Sequence, residues 1–260
     1  MDLNEKNVLV FGAGISGEAA AGLLLRQGAR VILYDGNKNL DLQSVKSRIA
    51  DSVRDMTDRP EENLKIVSGE FPEEVVKELS LAVISPGVPA DLPVVERMRN
   101  LDIPVWGEIE LAYAFGRGDV LAITGTNGKT TTTALLGEIM ANYKESVFVV
   151  GNIGNPYTSI VPRTEESSVI VAEISSFQLE TIHTFRPKVS AILNITPDHL
   201  NRHHTMEEYI RVKELITGNQ TKDQVCVLNY EDEVLRTFGE SGQVKAKVVY
   251  FSSLRELPQG

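Results

Sequence analysis

The stretch Val120-Leu121-Ala122-Ile123-Thr124-Gly125-Thr126-Asn127-Gly128-Lys129-Thr130-Thr131 decides how the second half of the chain folds. Its apolar start reads as a strand of a covered parallel sheet, and the two glycines break that strand. Residues 132–140 then read as a helix. A strand, a glycine loop and a helix in that order turn backbone N–H groups and a helix N-terminus toward an anion. Lys129 adds a positive charge, and Thr130 adds a hydroxyl suited to Mg²⁺. The stretch therefore predicts a loop for the phosphates of a nucleoside triphosphate, formed by Gly125, Thr126, Asn127, Gly128, Lys129, Thr130 and Thr131. Ile123 stands where the usual pattern has its first glycine, so the loop is short. A turn that merely caps a helix is the plainer reading, and a lysine followed by hydroxyls argues against it.

Further strands are expected around this loop at 147–150, 169–173, 189–194, 225–229 and 244–251, with helices at 108–115 and 206–217. The first half alternates in the same way: a strand at 7–11, a helix at 16–27, and strands at 30–34 and 81–84. This is a βαβ pattern. The boundary between the halves is placed near Gly107, giving domains over 1–106 and 107–260.

The first half has a glycine loop of its own, Gly12-Ala13-Gly14-Ile15-Ser16-Gly17, between a strand and a helix. Asp35 follows the next strand. The arrangement resembles a dinucleotide fingerprint, in which an acidic residue reaches a ribose hydroxyl. A carboxylate at this place could equally accept hydrogen bonds from a uracil ring, and a tight turn without a ligand is the plainer alternative. Two phosphate-type loops in succession point to a nucleoside triphosphate and a second phosphorylated ligand, with phosphoryl transfer between them.

Composition narrows the classes. The chain has 260 residues, 42% hydrophobic and 24% charged, which suits two globular domains. A net charge of −10 argues against a sequence-independent grip on nucleic acid. The sequence has no apolar run long enough for a membrane span and no basic leader at Met1, so the cytoplasm is the expected compartment. Cys226, alone in Val225-Cys226-Val227-Leu228, cannot form an intramolecular disulfide and reads as a core residue.

The shortened loop from Gly125 to Thr131 resembles the ATP loop of the Mur ligases and of folylpolyglutamate synthase. Gly151-Asn152-Ile153-Gly154, Glu173-Ile174-Ser175-Ser176-Phe177-Gln178-Leu179-Glu180 and Asn194-Ile195-Thr196-Pro197-Asp198-His199-Leu200 follow in that order. With Ser85-Pro86-Gly87, they look like the D-glutamate-adding branch of the Mur ligases. The resemblance implies an α/β chain: an N-terminal Rossmann-like parallel-sheet domain that binds a UDP-sugar, then a P-loop-type central ATPase domain. It also implies a third domain after Gly260 that binds D-glutamate. The implied activity is that of an ATP-dependent acid–amino-acid ligase working with Mg²⁺ in peptidoglycan synthesis on UDP-N-acetylmuramoyl-L-alanine, ATP and D-glutamate.

Several residues also carry chemistry of their own. Glu173 ends an apolar strand, so its carboxylate emerges at the sheet edge where open α/β folds bind ligands, which suits a metal ligand. His199 lies in a His-rich stretch whose plainer reading is a solvated loop; the resemblance selects His199 and leaves His203, His204 and, elsewhere in the chain, His183 with the plainer reading of solvated side chains. Met206, Tyr209, Ile210, Lys213 and Ile216 share a helix face, which puts Lys213 in an apolar stripe. A snorkelling side chain would explain this, and so would a desolvated amine. The resemblance implies that Lys213 is carbamylated and helps hold Mg²⁺ with Thr130, Glu173 and His199, and that Lys129, Glu173, His199 and Lys213 serve catalysis. It further implies substrate contacts from Ile15, Ser16, Asp35, Ser85, Gly87, Asn152, Ser175, Gln178 and His199. Another Mur-type ligase or folylpolyglutamate synthase, a non-catalytic nucleotide-binding module, and a dehydrogenase built on the Gly12 loop remain open as alternatives.

Overall fold

The computed structural model describes residues 1–56 and 60–258. The chain divides into two compact units. The first holds Met1–Gly116 together with Pro156–Pro162, and the second holds Arg117–Asn155 together with the chain from Arg163 onward.

The first unit contains five strands: β1 (Asn7–Phe11), β2 (Arg30–Asp35), β3 (Leu64–Ser68), β4 (Leu81–Ile84) and β5 (Val105–Gly107). All pair in parallel, in the order β3-β2-β1-β4-β5. The chain steps outward from β1 to β3 and then returns to the other side of β1, so the loop after β1 lies at the point where strand order reverses, the usual ligand position of such sheets. Leu9, Ile84 and Val105 pack with Val95 and Met98 of the helix Pro93–Asn100. The helix Ile15–Arg26 buries Ala20, Ala21, Leu23, Leu24 and Leu25. Strands β3 and β5 escape a sequence reading because both are edges. The former shows Lys65 to solvent and the latter is three residues long, too short to display a period.

The helix Glu108–Phe115, which the sequence boundary near Gly107 assigns to the second half, lies in the first unit with Ile109, Leu111 and Ala112 buried. A short helix, Tyr157–Ile160, joins it there. The N–H and hydroxyl of Thr158 donate to Glu108 Oε1 at 2.6 and 2.9 Å.

The second unit has six parallel strands: β6 (Asp119–Thr124), β7 (Val147–Gly151), β8 (Val169–Glu173), β9 (Val189–Ile192), β10 (Val225–Asn229) and β11 (Lys247–Phe251). Their order is β11-β10-β9-β6-β8-β7. Strand β6 lies between β8 and β9, which puts its C-terminal loop at the reversal of strand order in this sheet. The helix Lys129–Ala141 covers one face, with Leu136 and Met140 packed against Ile123, Val169 and Val171. Burial of such aliphatic side chains contributes roughly 1.5–3 kcal/mol each. Strand β9 stops at Ile192 rather than 194, because the next residues turn off to bond the loop after β6. Cys226 is fully buried, as its apolar neighbours imply. Among the described residues no helix is long and apolar enough to cross a membrane.

Candidate active site

In the second unit, the exits of β6, β8 and β9 meet at one edge. Gly128 takes a left-handed conformation (φ 82°), which lets the chain turn from the loop into the helix Lys129–Ala141. The first N–H groups of that helix have no intrahelical acceptor and face outward with the positive end of its dipole. Lys129 Nζ donates to the carbonyls of Gly125 and Thr126, both at 3.0 Å. The Thr130 hydroxyl donates to Glu173 Oε2 at 2.8 Å, and the Asn152 amide donates to Glu173 Oε1 at 2.8 Å. Glu173 is 1% exposed, so both carboxylate oxygens have partners where water does not reach. Thr130 at the start of its helix, Asn152 just after β7 and Glu173 at the end of β8 thus come together.

Lys213 reaches the same loop from the helix Met206–Glu214. It is 1% exposed, and its Nζ donates to the Gly125 carbonyl at 2.8 Å while lying 4.7 Å from the centre of the Tyr209 ring. Lys129 and Lys213 therefore converge on one carbonyl oxygen. Burial first, and the Lys129 charge second, push the Lys213 amine down to about 7, against a small opposing pull from Asp198. This overturns the snorkelling alternative: the amine is inside. Tyr209, also 1% exposed, bonds Thr126 Oγ1 at 3.2 Å.

His199 is placed differently. Its side chain is half exposed, beside Asp198 and 5.0 Å from the Phe177 ring. It begins the one-turn helix Leu200–His203 from a left-handed conformation (φ 52°). Among the described residues no three His, Cys, Asp or Glu side chains gather as a metal-binding group, so His199 and Glu173 are not part of such a cluster. His203 corrects the solvated-loop reading. It is 3% exposed, with Nε2 2.9 Å from Ser176 Oγ and Nδ1 3.5 Å from Glu180, and burial lowers its pKa. Ser175 and Gln178 engage each other in a capping box that starts the helix Ser176–Leu179, leaving Gln178 4% exposed.

Two further residues of the site carry no assigned role in the sequence reading. Asn194 Oδ1 accepts the Asn127 N–H at 2.8 Å while its Nδ2 donates to the Asn127 carbonyl at 3.0 Å. Tyr209 was legible only as one apolar member of a helix face. The signal for Asn194 is an amide side chain two residues past the end of β9, at the ligand edge of the sheet.

In the first unit, Asp35 Oδ2 accepts the Ala13 N–H at 2.8 Å and Oδ1 accepts the Asn37 N–H at 2.9 Å. The Ser85 hydroxyl donates to the Gly12 carbonyl at 3.2 Å. A side chain at Gly17 would put its Cβ 1.7 Å from the Gly12 carbonyl oxygen, whereas one at Gly14 or Gly87 would meet nothing within 4 Å. Ile15 is 75% exposed at the start of its helix. Asp35, Ser85 and the Gly12 loop are therefore brought together around open space.

Comparison with known proteins adds a family. Residues 6–107 match the MurD-like N-terminal domain of Mur ligases, and residues 123–257 match the Mur ligase middle domain. A UDP-N-acetylmuramoylalanine–D-glutamate ligase of Lachnospira eligens is 57% identical over 256 residues, which are 98% of this chain and 54% of that protein. The ligase of the same name from Lachnoclostridium phytofermentans is 54% identical over 260 residues, 100% of this chain and 55% of its own length. The chain thus spans about half the length of these relatives. A solved structure of UDP-N-acetylmuramate:L-alanyl-gamma-D-glutamyl-meso-diaminopimelate ligase from Neisseria meningitides is alike in fold, with a TM-score of 0.62 at 16% identity over 95% of this chain and 78% of that one.

Proposed function

Since the chain belongs to the Mur ligase family, we propose that it carries the acyl-activating part of an ATP-dependent amide ligase that joins D-glutamate to UDP-N-acetylmuramoyl-L-alanine. The observation that carries the reading is the meeting of Lys129 and Lys213 at the Gly125 carbonyl, beside the Thr130–Glu173–Asn152 group. One end of the site is cationic and the other offers hard oxygen donors, as an anionic phosphate chain with its counter-cation requires. The D-glutamate specificity is supported by the names of the relatives.

In this reading the substrate carboxylate attacks the γ-phosphorus of ATP, giving an acyl phosphate and ADP. The amine of D-glutamate then adds to the acyl carbon, and phosphate leaves from the tetrahedral intermediate. Both partners of the first step are anions. Lys129 would leave the carbonyls of Gly125 and Thr126 for the phosphates, and the free N–H groups at the start of the helix Lys129–Ala141 would line the same anion. No protein nucleophile is needed.

The Mg²⁺ that the family implies fits the donors present. The Thr130 hydroxyl and Glu173 Oε2 lie 2.8 Å apart. A hydroxyl and a carboxylate are hard oxygen donors of the kind that Mg²⁺ takes. Thr130 and Glu173 would hold the ion, with Lys213 joining them if carbamylated and His199 if its exposed loop moves. When bound, the ion neutralises phosphate charge. The Lys213 amine, neutral in part near pH 7, is suited to reaction with CO₂.

Asp35 and the Gly12 loop are proposed to take the uridine diphosphate, and Asn152 and His199 the lactoyl-alanine end. Ile15, Ser16, Ser85, Gly87, Ser175 and Gln178 complete the proposed contacts. Two of the roughly four lone-pair sites on the Asp35 carboxylate are used, which leaves acceptors for a uracil N–H. A cytoplasmic setting, where both nucleotides are present, is part of the same proposal. Calorimetric titration of the chain with UDP-N-acetylmuramoyl-L-alanine tests it. Binding is expected, and Asp35→Ala should weaken it about tenfold or more while Mg-ADP affinity holds. Absence of binding, or NADH binding in its place, would overturn the reading.

A further inference from the structure

We propose that Asn194 is a positioning residue for the nucleotide: by gripping both polar groups of Asn127, it sets the shape of the phosphate loop. The inference rests on the nucleotide-binding reading above. A single hydrogen bond would let the Asn127 backbone swivel, whereas the carboxamide meets its N–H at 2.8 Å and its carbonyl at 3.0 Å and so fixes its orientation. The loop has need of such an outside brace. Ile123 occupies the place of the usual first glycine and is 2% exposed within β6, so fewer residues are left to close the loop on itself. Main-chain contacts extend the brace, since the Thr126 N–H donates to the Asn194 carbonyl at 2.9 Å and the Thr196 N–H to Thr126 Oγ1 at 3.0 Å.

Asn194 is itself anchored on both flanks, by the last residue of β10 and by the turn that follows it. Asn229 Nδ2 donates to the Leu193 carbonyl at 3.1 Å, and Asp232 Oδ2 accepts the Ile195 N–H at 2.8 Å. The other Asp232 oxygen accepts from Val234 and Leu235 at the start of the helix Glu233–Glu240, which fixes the carboxylate. Asn194 thus stands between two fixed neighbours with its side chain turned to the loop. The Asn127 N–H is consumed by this grip, so the phosphates are left to the N–H groups from Gly128 to Thr131. Because Asn194 is only half-buried and its flanks are tied independently, its truncation should release the loop and leave the fold in place.

The test is calorimetric titration of the chain and of Asn194→Ala with Mg-ADP and, separately, with UDP-N-acetylmuramoyl-L-alanine, alongside amide hydrogen exchange. Loss of two hydrogen bonds predicts about a tenfold weaker Mg-ADP affinity. UDP-sugar affinity should stay within about threefold, exchange at Asn127 should accelerate, and the Ile195 amide should remain protected. Unchanged Mg-ADP affinity would overturn the proposal. Parallel loss of both affinities, with Ile195 exposed, would overturn it in favour of a purely structural role. Failure of the unaltered chain to bind Mg-ADP would instead sink the nucleotide reading, and this inference with it.

Discussion

Replacing Lys213 with methionine should make the second unit more stable, and by an amount that depends on pH. The buried amine titrates at about 7 instead of its ordinary 10.5. The unfolded chain therefore binds this proton more tightly over that interval, and stability is penalised wherever the unfolded lysine is charged. The penalty is complete below about 7, shrinks as pH rises and is gone above 10.5. Its full size is about 5 kcal/mol, from a difference of roughly 3.5 pK units at about 1.4 kcal/mol each. Methionine has similar length and no proton. It gives up the hydrogen bond to the Gly125 carbonyl, worth about 1 kcal/mol, but does not orphan that oxygen, which still accepts from Lys129. The net gain should be about 3 kcal/mol or more at about pH 6 and about 1 kcal/mol at about pH 9. Urea denaturation in CO₂-free buffer measures it, followed by far-UV circular dichroism because the single tryptophan, Trp106, lies in the first unit. An equal difference at both pH values, or a less stable variant at the lower one, would refute the burial of a charged amine at this place.

Glu108 should behave in the mirror sense. Burial raises its pKa despite the bonds from Thr158, and Oε2 has no hydrogen-bond partner among the described residues, so the folded first unit loses stability as pH rises through the ordinary carboxyl range. Glu108→Gln should be close to neutral near pH 4 and stabilising by about 1 kcal/mol or more near pH 8; thermal melts at the two pH values decide it. At the glycine loop of the first unit, Gly17→Ala should cost about 3 kcal/mol or more, since the new Cβ would strike the Gly12 carbonyl, and Trp106 emission during urea unfolding would show it. Gly14→Ala has open space and a permitted backbone (φ −77°), so it should melt like the unaltered chain and bind the UDP-sugar more weakly; unchanged binding would remove this turn from the proposed pyrophosphate site.

What the sequence discloses follows the reach of its periodicities. Long apolar strands, the two glycine loops and the helix face carrying Lys213 are all local patterns, and the sheets appear where those patterns put them. The edges β3 and β5 are half-exposed or short and carry no such pattern. His203 was illegible for a different reason. The single turn Leu200–His203 is bracketed by left-handed residues, His199 at φ 52° and His204 at φ 65°, which swing His203 inward beside Ser176. One turn is too little for a hydrophobic period. Asn194 and Tyr209 act through partners 67 and 83 residues away, contacts that become visible only when the exits of β6 and β9 and the helix Met206–Glu214 are in place.

The segment Pro156–Pro162 has a consequence for the order in which the protein can be made. Tyr157 and Ile160 are each 1% exposed within the first unit, yet they are encoded after β6 and β7 of the second. During synthesis the amino-terminal unit cannot finish its core when its own sheet has left the ribosome. It must wait, with Tyr157 and Ile160 still missing from that core, until Pro162 has emerged. Domains of ordinary chains mature one after the other as they appear. Here the earlier one is completed from within the later one, so a single cut at any of the three junctions would release neither as a finished piece.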